Sequence, residues 1–297
     1  MKILLIILFS LSQSVLAIDC DALVVKLPQG LWHEKSNLEE PYDGDVSGRC
    51  VGKVSMGMQQ GEWFEYHPNM QIKTHGIYID NKKDGKWLAF YPDGQLKTEE
   101  FNTAGMRQGQ FTQYHENGQV LMQGVYVDDK EHGEWHEYHL NKKLKRRGTY
   151  LAGQRDGEWI IYYDNGALQA ISEFKDNQQH GNWIKYYANG QLEQRGKYKQ
   201  NKKHGVWIKY HSNGQLEVKC RFIDGLLTGP WDSYHANGKP AQTGIFVDGL
   251  ADGEWSAYDQ TGHLLLREVC VLGDCQAICK DVQECAQLNT AISQREG

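Results

Sequence analysis

Residues 181–204 of the 297-residue chain read GNWIKYYANGQLEQRGKYKQNKKH. A glycine and a tryptophan open this stretch, an Asn-Gly pair lies in its middle, and a basic run closes it before the next glycine. The same order of residues returns at a fixed interval along most of the chain, so the sequence is an array. Periods of roughly 20 to 50 residues are typical of solenoids, propellers and related repeat architectures.

An aromatic anchor marks each unit of the array and recurs every 24 residues in nine successive units. A glycine precedes each anchor by two residues, and a tyrosine or phenylalanine follows it by three. These columns hold much of the 32 glycines and of the 11% aromatic content. We expect the anchors to be structural; they are Trp63, Trp87, Phe111, Trp135, Trp159, Trp183, Trp207, Trp231 and Trp255.

Two turn signals in each unit predict a β-hairpin. Asn-Gly pairs such as Asn189-Gly190 lie between two alternating segments, and Asn-Gly allows positive φ at both positions of a tight turn. A second turn is predicted near Asp176-Asn177 and its equivalents. The sequence therefore predicts an all-β fold, a repeat array of antiparallel β-hairpins that forms a single elongated, twisted meander sheet.

The register of the hairpins also follows from the turn. A two-residue Asn-Gly turn would pair each anchor with the residue 13 positions later, and seven of these nine residues are small. We therefore expect each indole to lie across the backbone of its small partner. The same register would pair Tyr163 with Leu168, although a one-residue bulge at the turn would shift that pair. The small partners are Gly76, Gly124, Gly148, Ser172, Gly196, Cys220 and Gly244.

The two ends of the chain depart from the array. Residues 1–17 combine Lys2, an apolar stretch and a small residue at Ala17, which predicts a cleavable signal peptide without a lipobox. Residues 18–60 are predicted to be an N-terminal cap with a degenerate repeat, and residues 61–268 to be nine repeats. Residues 269–297 are predicted to be a cysteine-rich, partly helical C-terminal cap, with a helix from about Cys275 to Ile292.

Six of the seven cysteines lie in these caps and are candidates for disulfides, which export would permit. Cys20–Cys50 is the preferred pair, and the four C-terminal cysteines leave three pairings open. Cys220 is expected to stay a buried thiol. A C-terminal zinc site is the alternative, but gaps of 4, 3 and 5 residues do not match paired C-x-x-C knuckles. The disulfide candidates are Cys20, Cys50, Cys270, Cys275, Cys279 and Cys285.

The sequence predicts neither catalytic nor metal-binding residues and no cofactor. One column contains several histidines, but equivalent residues two strands apart are separated by about 10 Å, too far for two of them to share one zinc ion. No nucleophile elbow, phosphate loop or metalloprotease motif occurs. A net charge of −6 gives no reason to expect nucleic acid as a partner. The protein is therefore predicted not to be an enzyme.

The repeat resembles a known family. Its Gly-x-Trp-x-x-Tyr-Tyr/His-x-Asn-Gly-Gln-Leu pattern, with a later turn such as Lys202-Lys203-His204-Gly205, is similar to the bacterial variant of the MORN repeat over residues 61–262. Met70 and Lys142 depart from it by replacing the turn glycine. The resemblance implies a non-catalytic hairpin array of the kind known mainly in scaffolding and interaction. Some bacterial relatives carry an antitoxin label, and lipid binding has been proposed for eukaryotic relatives.

Together these observations predict a secreted or periplasmic scaffold that binds an unknown protein partner, with no transmembrane segment after signal cleavage. One alternative is a binder of extended cell-wall or surface polysaccharide that uses its aromatic rows. Its binding surface would include Tyr163, Tyr187, His211 and His235. The same rows can instead serve only to brace the sheet. A further alternative is an antitoxin-like or membrane-associated MORN protein.

Overall fold

The computed structural model describes residues 24–26, 32–34, 44–46, 50–279, 283–284 and 287. The predicted signal peptide, Cys20 and Cys285 lie outside these residues. The chain divides into two units, Met1–Gly118 and Gln119–Gly297, and the described residues of both lie mainly in antiparallel strands. In the part of the chain that the structure describes, no helix is long and apolar enough to cross a bilayer.

The first unit begins with short strands and continues into hairpins. Strand β1 pairs with β2 and β3, and from β3 onward each strand pairs with the next. Two full hairpins, β5–β6 and β7–β8, keep the 24-residue period. The strands are β1 (Val24–Lys26), β2 (Trp32–Glu34), β3 (Gly44–Val46), β4 (Cys50–Ser55), β5 (Met58–Tyr66), β6 (Ile72–Ile79), β7 (Lys82–Phe90), β8 (Leu96–Thr103) and β9 (Met106–Tyr114).

The second unit contains six full hairpins at the same period, from β11 to β23, and β18 pairs with both β19 and β20. Its strands are β10 (Val120–Val127), β11 (Lys130–Tyr138), β12 (Leu144–Leu151), β13 (Gln154–Tyr162), β14 (Leu168–Lys175), β15 (Gln178–Tyr186), β16 (Leu192–Lys199), β17 (Lys202–Tyr210), β18 (Leu216–Ile223), β19 (Leu226–Leu227), β20 (Gly229–Tyr234), β21 (Pro240–Val247), β22 (Leu250–Tyr258), β23 (Leu264–Val271) and β24 (Asp274–Cys279). The predicted all-β array of antiparallel hairpins is confirmed.

The C-terminal cap begins with a strand where the sequence predicts a helix. The helix expected from Cys275 is wrong over β24, which pairs with β23 through a turn at Leu272-Gly273. Gly273 lies 24 residues after Gly249, so the turn of the array recurs once more before the pattern ends. Helical backbone is found at residues 283, 284 and 287.

The Asn-Gly turn is longer than a two-residue turn. The N–H of Gly166 donates to the carbonyl of Tyr163, and the N–H of Tyr163 donates to the carbonyl of Ala167, both at 2.9 Å. Only the glycine of the Asn-Gly pair has positive φ, at 87°, which is typical of a type I turn followed by a bulge. The predicted pair of Tyr163 with Leu168 is therefore wrong by one residue, and Tyr162 pairs with Leu168 instead.

The predicted register of the anchors is confirmed, but the residue beneath an indole is not the partner that the sequence predicts. Trp183 pairs with Gly196 and Trp207 with Cys220, 13 residues later in both cases. A Cβ atom at Gly196, however, would lie 2.2 Å from Cδ2 of Trp207. The ring of Trp207 therefore lies on the glycine of the preceding hairpin, because a register shift between β16 and β17 brings that backbone beneath it.

The two glycine columns serve different physical purposes. Gly196 is required for space, because the indole of Trp207 occupies the place of its missing side chain. Gly205, two residues before the anchor, lies in open space, since a Cβ atom there would meet nothing within 4 Å, but its φ is +73°. That conformation is in the left-handed region, which glycine adopts without the steric cost that other residues incur.

Candidate binding surfaces

One face of the sheet, here called the Trp face, carries the anchors in an aromatic ladder. Trp159 contacts Tyr150 at a centroid distance of 5.0 Å and Phe174 at 6.3 Å, both edge to face. Such pairs contribute about 0.5–1.5 kcal/mol each beyond the burial of their area. A second aromatic column, which is not among the predicted anchors, completes the ladder. Its 24-residue spacing is visible in the sequence at Tyr78, Tyr126, Tyr150, Phe174, Tyr198, Phe222 and Phe246.

The rings predicted to bind polysaccharide make bonds to the next repeat. All four are half-buried, and the polar atom of each faces a backbone carbonyl 23 residues further along the chain. The rings therefore brace consecutive hairpins. The bonds run from Tyr163 Oη to Tyr186 O (2.8 Å), from Tyr187 Oη to Tyr210 O (2.8 Å), from His211 Nε2 to Tyr234 O (2.8 Å) and from His235 Nε2 to Tyr258 O (2.9 Å).

The histidines of this column share the same role as the tyrosines. His67 and His139 also place Nε2 within 3.1 Å of a carbonyl oxygen of the next hairpin. Because a carbonyl oxygen only accepts, that nitrogen carries a proton and donates. Burial raises the pKa of Tyr187, and the carboxylates Glu193 and Glu217 raise it further. The phenol therefore keeps its proton and remains a donor at neutral pH.

The asparagine of the Asn-Gly pair links the turns as well. Its side-chain oxygen accepts the N–H two residues later, as in Asn213 with Gln215 at 3.0 Å. Its side-chain nitrogen donates to a carbonyl of the following turn, as from Asn213 to Ala236 at 2.7 Å. The same donor recurs at Asn189 and Asn237, and also at Asn69 and Asn141, where methionine and lysine replace the glycine. These asparagine side chains thus connect each turn to the turn of the next hairpin.

Several charges on the Trp face are paired. Lys185 lies 2.8 Å from Glu193, and Lys145 lies 2.7 Å from Glu137, which Arg146 also contacts. Burial acts to raise the pKa of Glu137, but hydrogen bonding to Lys145 and the charge of Arg146 outweigh it and lower that pKa. This carboxylate is therefore held ionised between two cations, an arrangement that suits a structural ion pair and not proton transfer.

The opposite face of the sheet presents a different chemistry at β16, β17 and β18. Arg195 pairs in register with Ile208, which in turn pairs with Lys219, and Val206 pairs with Arg221. Directly paired residues point to the same side of a sheet, so these side chains share the face opposite the Trp face. We call Arg195, Lys197, Lys219 and Arg221 the cationic patch; all four are exposed. The sequence analysis did not identify it.

Among the described cysteines, those of the caps are disulfide-bonded and the one inside the array is a free thiol, as the sequence predicts. Cys270 and Cys275 form a disulfide between β23 and β24, and Cys50 and Cys279 are also disulfide-bonded. Cys220 is a free, buried thiol whose pKa is raised by burial, against the opposing charge of Lys203. The alternative of a four-cysteine zinc site is wrong, because three of those sulfurs are in disulfides and offer no thiolate.

A family model described as a MORN repeat variant matches six successive segments of the sequence, residues 83–101, 107–128, 131–152, 155–176, 179–200 and 203–224. The chain contains MORN repeats over residues 83–224. Each matched MORN segment corresponds to one 24-residue period. Hairpins outside the matched MORN segments, such as β5–β6 and β22–β23, have the same register.

Solved structures resemble this MORN-repeat protein only weakly. The crystal structure of TcdB2-TccC3 is 11% identical with a TM-score of 0.19, covering 76% of this chain and 16% of that chain. The Photorhabdus luminescens Tc holotoxin pore is 13% identical with a TM-score of 0.19, covering 76% of this chain and 14% of that chain. The chain thus spans less than a fifth of the length of each of these two proteins. No curated protein matches the sequence.

Proposed function

We propose that this MORN-repeat protein is a non-catalytic, exported scaffold that binds a protein partner through the face opposite the Trp face. The observation that carries this proposal is the contrast between the faces. Rings of the Trp face are engaged with neighbouring repeats, whereas aliphatic side chains of the other face are open to solvent. Val206 is 50% exposed, and Ile223 and Ile245 are each 46% exposed. Exposed apolar patches rimmed by polar residues mark sites of protein interaction.

The proposal that the protein is not a catalyst is supported by the contacts of its tyrosine, histidine and glutamate side chains. Tyrosine and histidine side chains of one column donate to the backbone of the next hairpin. Glu137 is neutralised by Lys145 and Arg146. These groups are engaged in contacts between or within repeats, whereas general acid–base catalysis needs a group free to exchange a proton with substrate.

Export is supported by the predicted signal peptide together with the Cys270–Cys275 disulfide. Structural disulfides persist mainly in oxidising compartments such as the periplasm or the extracellular medium. Fractionation of the natural host tests this step. We expect the chain in the periplasm or medium with its new N-terminus after Ala17 by mass spectrometry. Full-length protein confined to the cytoplasm would contradict export and leave the binding proposal standing.

The polysaccharide alternative has weaker support. Binding of a glycan to an aromatic row needs ring faces and polar edges that are open to the ligand. The hydroxyl groups of Tyr163 and Tyr187 are instead engaged with carbonyls, and both side chains are half-buried. Within the described residues, no contact favours the antitoxin-like or membrane-associated alternative over the scaffold. A protein partner is therefore the function that the geometry supports best.

Site-specific photo-crosslinking in the natural host tests the proposal. With a crosslinkable residue at Ile245, on the exposed face, we expect one defined protein adduct that forms again between the two purified proteins. The same residue at Tyr187, on the Trp face, is the matched control and should give no adduct. The proposal fails if Ile245 gives no protein adduct while the purified chain is retained on cell-wall polysaccharide and loses that retention in Tyr163→Ala and Tyr187→Ala.

A further inference from the structure

The cationic patch groups four positive charges on two strands, and none of the four has a counter-charge among the described residues. The side chains of Arg195, Lys197, Lys219 and Arg221 make no hydrogen bond or ion pair with any residue that the structure describes. On the Trp face of the same strands, Lys185 and Lys209 are both paired, with Glu193 and Glu217. The patch is therefore a local excess of positive charge on a chain whose net charge is −6.

The strand geometry fixes the spacing of these cations. Two residues apart on one strand correspond to about 7 Å, and β16 and β18 are two strands apart, about 10 Å. The four charges therefore stand at the corners of a small rectangle. Asp232, in register with Lys219 on β20, is the nearest acidic position in the pairing and forms no ion pair of 4 Å or less with it among the described residues. The patch stays strongly positive.

Aliphatic side chains lie inside the rectangle. Val206 and Ile208 of β17 run between the two cationic strands, and Val206 is half exposed. With Ile184 of β15 they line an open depression of about 370 Å³ that Arg195 and Lys197 border. The backbone of Gly196 also borders this depression. An occupant can therefore bury apolar groups between the positive charges.

We propose that the cationic patch, together with Val206 and Ile208, is the docking site for an acidic segment of the protein partner that also carries aliphatic side chains. This inference rests on the scaffold function proposed above and names the chemistry of its partner. Carboxylates of the segment lie beside the four cations and its aliphatic groups enter the depression. Charge complementarity of this kind gives specificity and fast association, and desolvated apolar contacts supply affinity.

The surroundings of the patch favour a polypeptide segment over a membrane surface or a second copy of the chain. On the same face, Glu158 pairs in register with Glu173 on one side of the patch, and Glu254 lies beyond it on the other. A flat anionic bilayer would meet these carboxylates, whereas a narrow segment avoids them. Two copies that docked patch to patch would place like charges together, which is unfavourable.

Binding of defined probes to the purified mature chain tests the proposal. The first probe is a synthetic peptide of alternating glutamate and valine, and its matched control replaces each glutamate by glutamine. Heparin and vesicles of phosphatidylglycerol and phosphatidylcholine are the competing anionic probes. The variants are Arg195→Glu/Lys197→Glu and Lys219→Glu/Arg221→Glu. Lys82→Glu/Lys130→Glu reverses two exposed charges elsewhere and is the matched control.

We expect the acidic peptide to bind in a salt-dependent manner and the glutamine peptide to bind at least about tenfold more weakly, because like or missing charges at such a contact cost more than about 1.4 kcal/mol. Each patch variant should lose about the same, with an unchanged melting temperature, and the control variant should bind like wild type. Equal binding of both peptides, preference for heparin or vesicles, or wild-type self-association that the variants abolish would overturn the proposal.

Failure of this inference is distinguishable from failure of the scaffold function. If the patch variants still crosslink the natural protein partner through Ile245, the scaffold function stands and the assigned docking chemistry is wrong. If neither wild type nor variants yield a protein adduct, the scaffold function itself fails.

Discussion

Two neighbouring anchors show what the small-residue column does. Trp207 lies on Gly196, is 1% exposed, and donates its indole N–H to the carbonyl of Lys197 at 3.2 Å. Trp183 faces Ser172 in the equivalent place, is half-buried and makes no such bond among the described residues. Its ring lies 5.4 Å from that of Trp207 at an angle of 32°. A side chain in place of glycine beneath the indole thus accompanies a ring that is less buried and lacks the bond from its N–H.

The same contrast separates other anchors of the second unit. Trp159 lies on Gly148, is 6% exposed and bonds to the carbonyl of Thr149. Trp231, whose equivalent position holds Cys220, is only half-buried. Glycine in this column therefore permits an indole to lie on the backbone of the preceding hairpin, whereas the indoles over serine and cysteine are more exposed. Trp255 lies on Gly244 but is also half-buried, so glycine permits full burial without ensuring it.

The largest expected effect is a truncation of the well-seated ring. Trp207→Ala should reduce the free energy of unfolding by about 3–5 kcal/mol, the usual cost of removing a buried large aromatic side chain. Trp183→Ala should cost distinctly less, because that ring is already partly exposed. Denaturant unfolding of the two purified variants measures the difference, and equal losses would break the comparison.

Adding a methyl group beneath the ring should have the next largest effect. Gly196→Ala should cost about 1–3 kcal/mol, since overpacking forces the indole of Trp207 off its seat. Ser172→Ala removes only an oxygen and should be close to neutral. Gly205→Asn is the matched control, because asparagine tolerates a left-handed φ and nothing crowds that position. A neutral Gly196→Ala variant would show that the ring can move without loss.

The hydrogen bonds between turns should contribute less than the rings. Tyr163→Phe removes the bond to the carbonyl of Tyr186 and should cost about 1 kcal/mol, the usual net value of one hydrogen bond. Tyr162→Phe is the control, because its hydroxyl has no partner among the described residues. The stability of both variants to denaturant provides the measurement. A similar loss in both would assign the effect to packing of the ring.

The smallest expected effect is a repair of the poorly seated ring. Ser172→Gly should let Trp183 lie on the backbone as Trp207 does, and protect its indole N–H from exchange. Stability should change by less than about 1 kcal/mol, because the added backbone entropy of glycine, roughly 0.5–1 kcal/mol, offsets the improved packing. Exchange of the indole proton followed by NMR is the readout. An unchanged exchange rate would mean that glycine at this position is not sufficient to bury the indole of Trp183.

Much of the fold could be predicted because the period repeats without interruption. The hairpins and the pairing of anchors with the residue 13 positions later follow from the residue types that recur at each position of the repeat, and both are confirmed. The free thiol of Cys220, which follows from the odd number of cysteines and its place among small residues, is confirmed as well. The turn could not be read as easily, because Asn-Gly suits both a two-residue turn and a type I turn with a bulge. That ambiguity shifted the expected partner of Tyr163 by one residue.

The candidate site was harder to predict than the fold. Tyr163 and its equivalents recur from repeat to repeat and are therefore predicted to form a binding surface. They recur because they bond to the next hairpin. The cationic patch is a local departure from the pattern, since its columns hold Ile171, Glu173, Thr243 and Ile245 in neighbouring hairpins. Its four side chains come from β16 and β18, which become neighbours in space only because both strands pair with β17. Apolar residues after Cys275 have roughly helical spacing and favour a helix, but Gly273 belongs to the turn column of the array, and its turn pairs β24 with β23.

The ladder of turn bonds has a consequence for how such a chain changes length. Tyr163 bonds 23 residues ahead, as do Tyr187 and Asn213, so each hairpin is matched to its successor by a constant offset. Duplication or loss of 24 codons between equivalent positions restores every partner, whereas any other length leaves donors facing the wrong strand. We therefore expect insertions and deletions in the array to be tolerated when they add or remove whole 24-residue repeats. Natural variants of the array should differ in length by multiples of 24 residues.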